Sequence, residues 1–328
     1  MPGSRRCSDE RRRSAGAATA GPDFPQPSNE DTTMKQPGFI RTAAARFGFS
    51  AALLALGLFA GVPGAAHAAP FTVLDNTAYA DVSIGHGAVK INFIPARYCK
   101  PLTVDANGRA VLPSRSAWVN LINTYDPTPA DAPGYLVLDC EELYLSGSSA
   151  TIANHLAILK QLQAWAREVR PNRTLGWYGL VNTAHISSAD ANAAYRGVAE
   201  LMDLDGGHTA HFPSAYIRAD GTDSWTRVDW ATQLNRNIAS AAQADALSRT
   251  GPHPVFPYLW PQYYDRNTQL VPGSQWQYIL NDILATTANG AVIWGGQNPA
   301  VAYNPGNGGA GEWVGVTQTF LDSLGNRN

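Results

Sequence analysis

Charge is scarce in this chain of 328 residues, with Asp, Glu, Lys and Arg making up only 15%. From Ala69 onward sixteen Lys/Arg stand against twenty-one Asp/Glu, a net charge of −5. A polyphosphate such as nucleic acid is therefore not an expected partner. Cysteine is scarce too: three residues, no CxxC pair, and no Cys/His spacing of the kind that holds zinc, so no metal is expected. No glycine-rich dinucleotide fingerprint follows any apolar run, so no nucleotide cofactor is expected either. Repeats at solenoid spacing are missing, as is any linker that would divide the chain after residue 69.

What is present begins with an export signal. Arg41 and Arg46 precede the apolar core "FGFSAALLALGLFAG" (47–61), and "AHA" at 66–68 offers a small-x-small cleavage site. The core is too short for a typical spanning helix, so no stable membrane anchor is expected. Residues 1–68 thus read as an N-terminal extension plus secretory signal peptide, with Met34 as an alternative start, and residues 69–328 as a single secreted domain. Cleavage removes Cys7 and leaves Cys99 and Cys140. An even pair in an exported protein fits one bridge, and two buried free thiols fit nearly as well.

Beyond residue 70, apolar runs alternate with helical periodicity. Strands are expected in 88–98, 134–143, 173–181, 208–218, 253–264 and 290–296. Helices are expected over 114–125, 148–171, 187–204, 227–247, 273–290 and 311–325. Continuous apolar strands imply a parallel sheet covered on both faces. For about 260 residues the economical fold is α/β, a (β/α)8-like barrel, with distorted and seven-stranded variants included. "FTVLDNT" (71–77) is the candidate for a hidden or irregular strand.

Barrel chemistry gathers at the C-terminal ends of strands. Those ends carry Arg97; Asp139, Glu141 and Glu142; Trp177 and Tyr178; Ser214 and Tyr216; Tyr258, Trp260 and Gln262; and Trp294 and Gln297. Aromatic faces stack on sugars and carboxylates act as acids on glycosidic bonds, so a polysaccharide or oligosaccharide is the expected partner. Within "YLVLDCEELYL" (135–145), strand alternation puts Asp139 and Glu141 on one face and Cys140 and Glu142 on the other. Two like charges so close raise the proton affinity of one, the condition for a general acid. Asp203 and Asp205 read as turn formers. His208 and His211 flank a strand start with no third metal ligand at convincing spacing.

At these residues the sequence resembles the hyaluronidase family. "LVLDCEELY" resembles that family's strand-end Asp-x-Glu motif. "HFPSAYI" (211–217), "PVFPYLWPQY" (254–263), "GAVIWGG" (290–296) and "LGWYGL" (175–180) resemble four further segments in the same order. The resemblance implies a distorted (β/α) barrel that cleaves a beta-linked N-acetylhexosamine polymer with retention. It implies Glu141 as proton donor and then base, and Asp139 as the acid that orients and stabilises the substrate's attacking acetamido group. Tyr216, Tyr178 and Trp294 would contact the sugar, with Trp177, Tyr258, Trp260, Gln297 and Arg97 as further substrate-binding candidates. Cys140 stands where the family has tryptophan. Two other readings stay open: a conventional two-carboxylate glycosidase, in which Asp203, Asp205 or Asp265 approaches Glu141, and a noncatalytic carbohydrate-binding barrel.

Overall fold

The computed structural model describes residues 70–79, 82–95, 104–181, 188–219, 227–296 and 312–325. The expected leader 1–68 lies outside them, as do Arg97, Cys99 and Gln297. Among the described residues no helix is long and apolar enough to cross a membrane.

The strands close into a ring. β1 (Thr72–Thr77) pairs with β7 (Gly290–Gly295) on one side and β2 (Val89–Lys90) on the other. β2 continues through Ile91 into β3 (Asn92–Ile94), which pairs with β4 (Gly134–Leu138). β4 pairs with β5 (Arg173–Trp177). Segment 209–214 bridges to β5 through Leu175–Thr209 and Tyr178–Phe212, and to the next strand through His211–Val255 and Ser214–Tyr258. β6 (Tyr258–Leu259) then pairs with β7. Every one of these pairings is parallel. With β2 and β3 counted as one staggered strand, the ring has seven members, and "FTVLDNT" supplies the first.

Helices cover the ring from outside: α1 (Arg115–Tyr125), α2 (Ser149–Val169), α3 (Ser188–Asp203), α4 (Arg227–Asp245), α5 (Gly273–Leu284) and α6 (Glu312–Gly325). Ser114 and Ser148 cap α1 and α2, their hydroxyls accepting from Ala117 N at 3.2 Å and Thr151 N at 3.1 Å. α5 ends six residues before the sequence pattern suggested. Thr286 Oγ1 donates to Ile283 O at 2.6 Å, and Asn289 is committed to its strand neighbours through Val255 N and Thr72 N. Local side-chain bonds of this kind compete with helix continuation.

Strand alternation divides the core into two layers. Leu136, Leu138, Leu175 and Trp177 face the helices. Leu74, Val137, Phe212, Phe256, Tyr258 and Val292 fill the barrel interior. Gly176 must lack a side chain there, because a Cβ would stand 2.2 Å from Ala210 O and 2.5 Å from the Phe212 ring.

The base of the barrel is pinned by buried charge. Asp126, at the end of α1, is fully buried. Its carboxylate accepts from Arg170 Nε at 3.0 Å, Arg173 Nη2 at 2.9 Å and Asn92 Nδ2 at 2.7 Å. Arg173 also reaches Pro133 O, immediately before β4. One carboxylate thus joins α1, α2, β3 and the starts of β4 and β5.

Candidate active site

The opposite end of the barrel carries the residues that the sequence singled out. β4 stops at Leu138, and buried Asp139 follows it. The chain then turns through a 3₁₀ helix, Glu141–Leu143, closed by Leu143 N donating to Cys140 O at 2.9 Å. The expected strand over 134–143 is therefore five residues long, because Leu143 is drawn fully into the core. Strand alternation ends before Glu141, and the turn delivers Glu141 to the cleft. Glu142 is exposed.

Glu141 lines a cavity of about 400 Å³ with Cys140, Tyr178, Ser214, Tyr216 and residues of α4. It is the one carboxylate among the described residues lining this cavity. Cys140 is disulfide-bonded, and its partner sulfur lies outside the described residues. An aromatic wall continues from the cavity across the mouth. Tyr216 stacks on Tyr178 with centroids 6.1 Å apart and on Trp294 at 5.8 Å. Trp260 meets Trp294 edge-on at 4.9 Å, and its Nε1 donates to Gln262 Oε1 at 3.0 Å. The buried Tyr79 hydroxyl donates to the same oxygen, so one amide holds Trp260 in place.

Three phenols surround the acids. Burial raises the Tyr178 hydroxyl above its ordinary pKa; bonds from Ser214 and Tyr216 oppose this, while the charges of Glu141 and Asp139 add to it. Burial does the same to Tyr216, with Tyr178, Tyr258 and Asp139 contributing. Tyr258 is raised by burial and by Asp139, while Asn76 Nδ2, donating to its oxygen at 3.2 Å, opposes the shift. All three stay neutral in the field of two carboxylates, and Tyr178, which receives the bond from Tyr216, keeps its own proton to donate. That arrangement suits a ligand with carbonyl or hydroxyl acceptors.

Not every expected contact residue lies at the cleft. Trp177 is buried against α2, its Nε1 donating to Gln163 Oε1 at 2.8 Å. Alternation with Tyr178 turns it outward, so it is a core residue. Tyr258 is fully buried in the barrel interior, where its ring meets Tyr178 edge-on at 5.1 Å. Asp203 and Asp205 lie at the far end of the barrel, bound to Arg249 at 3.1 Å and Arg167 at 3.3 Å. Asp265 accepts from Ala219 N at 2.8 Å.

His211 meets two partners that its sequence spacing did not suggest. Asp245 Oδ1 is 2.9 Å from His211 Nε2 and 2.7 Å from His253 Nδ1, and these ligand-type atoms all lie within 4.8 Å of one another. His253 Nε2 is held by Thr250 Oγ1 at 2.9 Å. The group lies at the N-terminal ends of its strands, away from Glu141, and hydrogen bonding accounts for its geometry. Burial opposes ionisation of Asp245, but the two imidazoles hold its carboxyl well below the usual range.

Sequence reasoning missed the residues that α4 sends to the cavity. Trp230, Gln233, Leu234 and Asn237 follow one another at helical spacing, and all four line it. Two amides on an otherwise apolar helix face were the available signal. Arg218 and Tyr264 were missed as well. They line the rim, with the guanidinium 5.3 Å from the ring centroid.

No protein-family model and no curated protein sequence matches the chain. Solved structures do. A crystal structure of bee venom hyaluronidase in complex with a hyaluronic acid tetramer aligns with TM-score 0.51 at 16% identity, over 78% of this chain and 96% of that one. A monoclinic crystal structure of bee venom hyaluronidase aligns with TM-score 0.54 at 14% identity, over 78% and 97%. The similarity runs through nearly the whole of the matched chains, and this chain shares the (β/α)-barrel fold of bee venom hyaluronidase.

Proposed function

We propose that the protein is an exported glycoside hydrolase that cleaves a beta-linked polysaccharide containing N-acetylhexosamine, with retention of configuration. The observation that carries this reading is the position of Glu141. It is the carboxylate of an aromatic-walled cavity at the C-terminal end of a parallel barrel, two residues from Asp139. The shared fold and the ordered sequence motifs support the same reading.

In the proposed reaction, Glu141 donates its proton to the glycosidic oxygen as the bond to the anomeric carbon breaks. The substrate's acetamido oxygen attacks that carbon and forms a cyclic oxazolinium. Asp139 accepts a hydrogen bond from the acetamido N–H and balances the positive charge. Tyr216 and Tyr178, neutral for the reasons above, hold the acetamido group in place. The Glu141 carboxylate then takes a proton from water as the water oxygen adds to the anomeric carbon, and the bond from that carbon to the acetamido oxygen breaks, returning its electron pair to the acetamide. Two inversions give net retention, and the substrate's own nucleophile makes a second catalytic carboxylate across the cleft unnecessary.

The position of Asp203 and Asp205 at the far end of the barrel disfavours a conventional pair built from either. The test is a panel of beta-linked polymers, hyaluronan and chitin among them, assayed for new reducing ends. Glu141→Gln should lower turnover by roughly 10²–10⁴-fold, and the first product seen by NMR should be the β-anomer. Equal turnover by wild type and variant would remove Glu141 from the mechanism. Binding without cleavage would make the protein a carbohydrate-binding barrel.

A further inference from the structure

Helix α4 turns two amides toward the cavity that the proposed chemistry does not use. Its stripe of Trp230, Gln233, Leu234 and Asn237 faces the strands. Trp230 and Leu234 are buried apolar residues of the usual kind. Trp230 Nε1 donates to Ala215 O at 2.9 Å, and Asn237 Nδ2 donates to Ser214 O at 2.9 Å. These bonds satisfy carbonyls at the point where the chain leaves the barrel ring.

The second bond sets the polarity of a short relay. With its nitrogen on Ser214 O, Asn237 turns Oδ1 toward Gln233, whose Nε2 donates to it at 3.1 Å. Gln233 therefore points its nitrogen at Asn237 and keeps Oε1 as an acceptor. Among the described residues nothing donates to that oxygen. Ser214 also hydrogen-bonds Tyr178 through its side chain. One residue thus couples the amide pair to the phenols beside Glu141.

We propose that Gln233 is a specificity determinant, its Oε1 accepting a hydrogen bond from an O–H or N–H donor of a sugar lying in the cavity beside Tyr178 and Tyr216. The proposal rests on the reading of this cavity as a glycan site. A half-buried amide whose orientation is fixed by its neighbours discriminates by leaving an unmade bond when the donor is missing.

Binding and turnover separate the two readings. Calorimetry would give Kd for N-acetylchitohexaose, a hyaluronan hexasaccharide and cellohexaose in the Glu141→Gln background, with and without Gln233→Leu. Gln233→Leu is expected to weaken binding roughly three- to tenfold, the worth of one neutral hydrogen bond, when measured well below the melting temperature, which itself falls modestly because buried Asn237 Oδ1 loses its donor. Weakening confined to the two N-acetylated sugars identifies an acetamide N–H as the donor; equal weakening for cellohexaose identifies a hydroxyl. Gln233→Ala serves if the leucine variant does not fold. An unchanged Kd for every sugar that binds overturns the proposal. So does the failure of all three to bind, or a loss of affinity that only tracks a lower melting temperature. If wild type binds but releases no reducing ends while the Gln233 effect persists, hydrolysis is rejected and the subsite stands.

Discussion

Asp126→Ala tests the argument that one buried carboxylate organises the base of the barrel. The substitution leaves the guanidiniums of Arg170 and Arg173, 5% and 6% exposed at the side chain, without their counter-charge. Arg170 keeps Val169 O and Arg173 keeps Pro133 O, but neither carbonyl carries a formal charge. Removing one partner of a buried ion pair costs about 3–5 kcal/mol. For a domain of this size each kcal/mol lowers the melting temperature by roughly 2–4 °C, so the expected loss is roughly 6–20 °C. Glu168→Ala is the control: its pair with Arg115 is about half exposed on both sides, and surface pairs contribute about 1 kcal/mol or less. Thermal unfolding followed by circular dichroism decides. Equal, small shifts for the two variants would refute the reasoning. The pH dependence gives an independent check. Burial raises the Asp126 pKa, but bonds from Arg173 and Thr128 and the charges of both arginines outweigh it and hold the pKa below the usual value. A depressed folded-state pKa contributes stability above the unfolded value of about 4, and loses it as pH falls through the folded value. The gap between wild type and Asp126→Ala should narrow in that acid window.

Gly176→Ala should destabilise by about 1–3 kcal/mol or more, because its Cβ meets a backbone oxygen as well as the Phe212 ring; urea unfolding measures it, and a neutral result would mean that the interior is looser than described. Absorbance titration of the tyrosines should remain incomplete at about pH 11.5, where ordinary tyrosines are ionised, and finish only on unfolding, since Tyr79, Tyr178, Tyr216 and Tyr258 are all raised. Full ionisation of every tyrosine in the folded protein at about pH 11.5, where ordinary tyrosines are already ionised, would contradict their burial. Leu143→Ala and Leu280→Ala each remove a fully buried leucine, at about 2–5 kcal/mol. Only the first underlies the Glu141 turn, so at a temperature where both are folded it alone should lower kcat, by roughly ten- to a hundredfold. Equal losses would mean that the turn does not position Glu141.

Much of the fold was legible because its local signals agree. Apolar runs such as "YLVL" and "TLGW" admit little besides a buried parallel strand, and serine caps mark where α1 and α2 begin. Strands were expected over 88–98 and 208–218 and both segments join the ring, but their split or brief pairing was not legible. Val89–Ile94 changes neighbours at Ile91, and segment 209–214 is held by isolated bridges. Neither property is written in a hydrophobic period. It comes from closing seven strands into one ring, a condition on the whole chain.

The candidate site shows where strand alternation stops being a guide. It sorts Trp177 from Tyr178 correctly when applied strictly, one residue to the helices and one to the cleft. Applied past Leu138 it places Glu141 on a strand that has already ended. Glu141 lines the cavity nonetheless, because burial of Leu143 coils the chain into a 3₁₀ turn. The position was recovered for a reason that the sequence pattern did not contain. The amides of α4 illustrate the converse. Gln233 and Asn237 sit at spacings that assign them to the covered face of a helix, where an unpaired amide is costly. Their meaning appears only with Ser214, whose carbonyl lies where the chain has left the ring and needs a donor. Polar residues on the apolar face of a barrel helix are thus worth tracing to the strand exits they can reach, since those exits combine unsatisfied backbone with open space for a ligand.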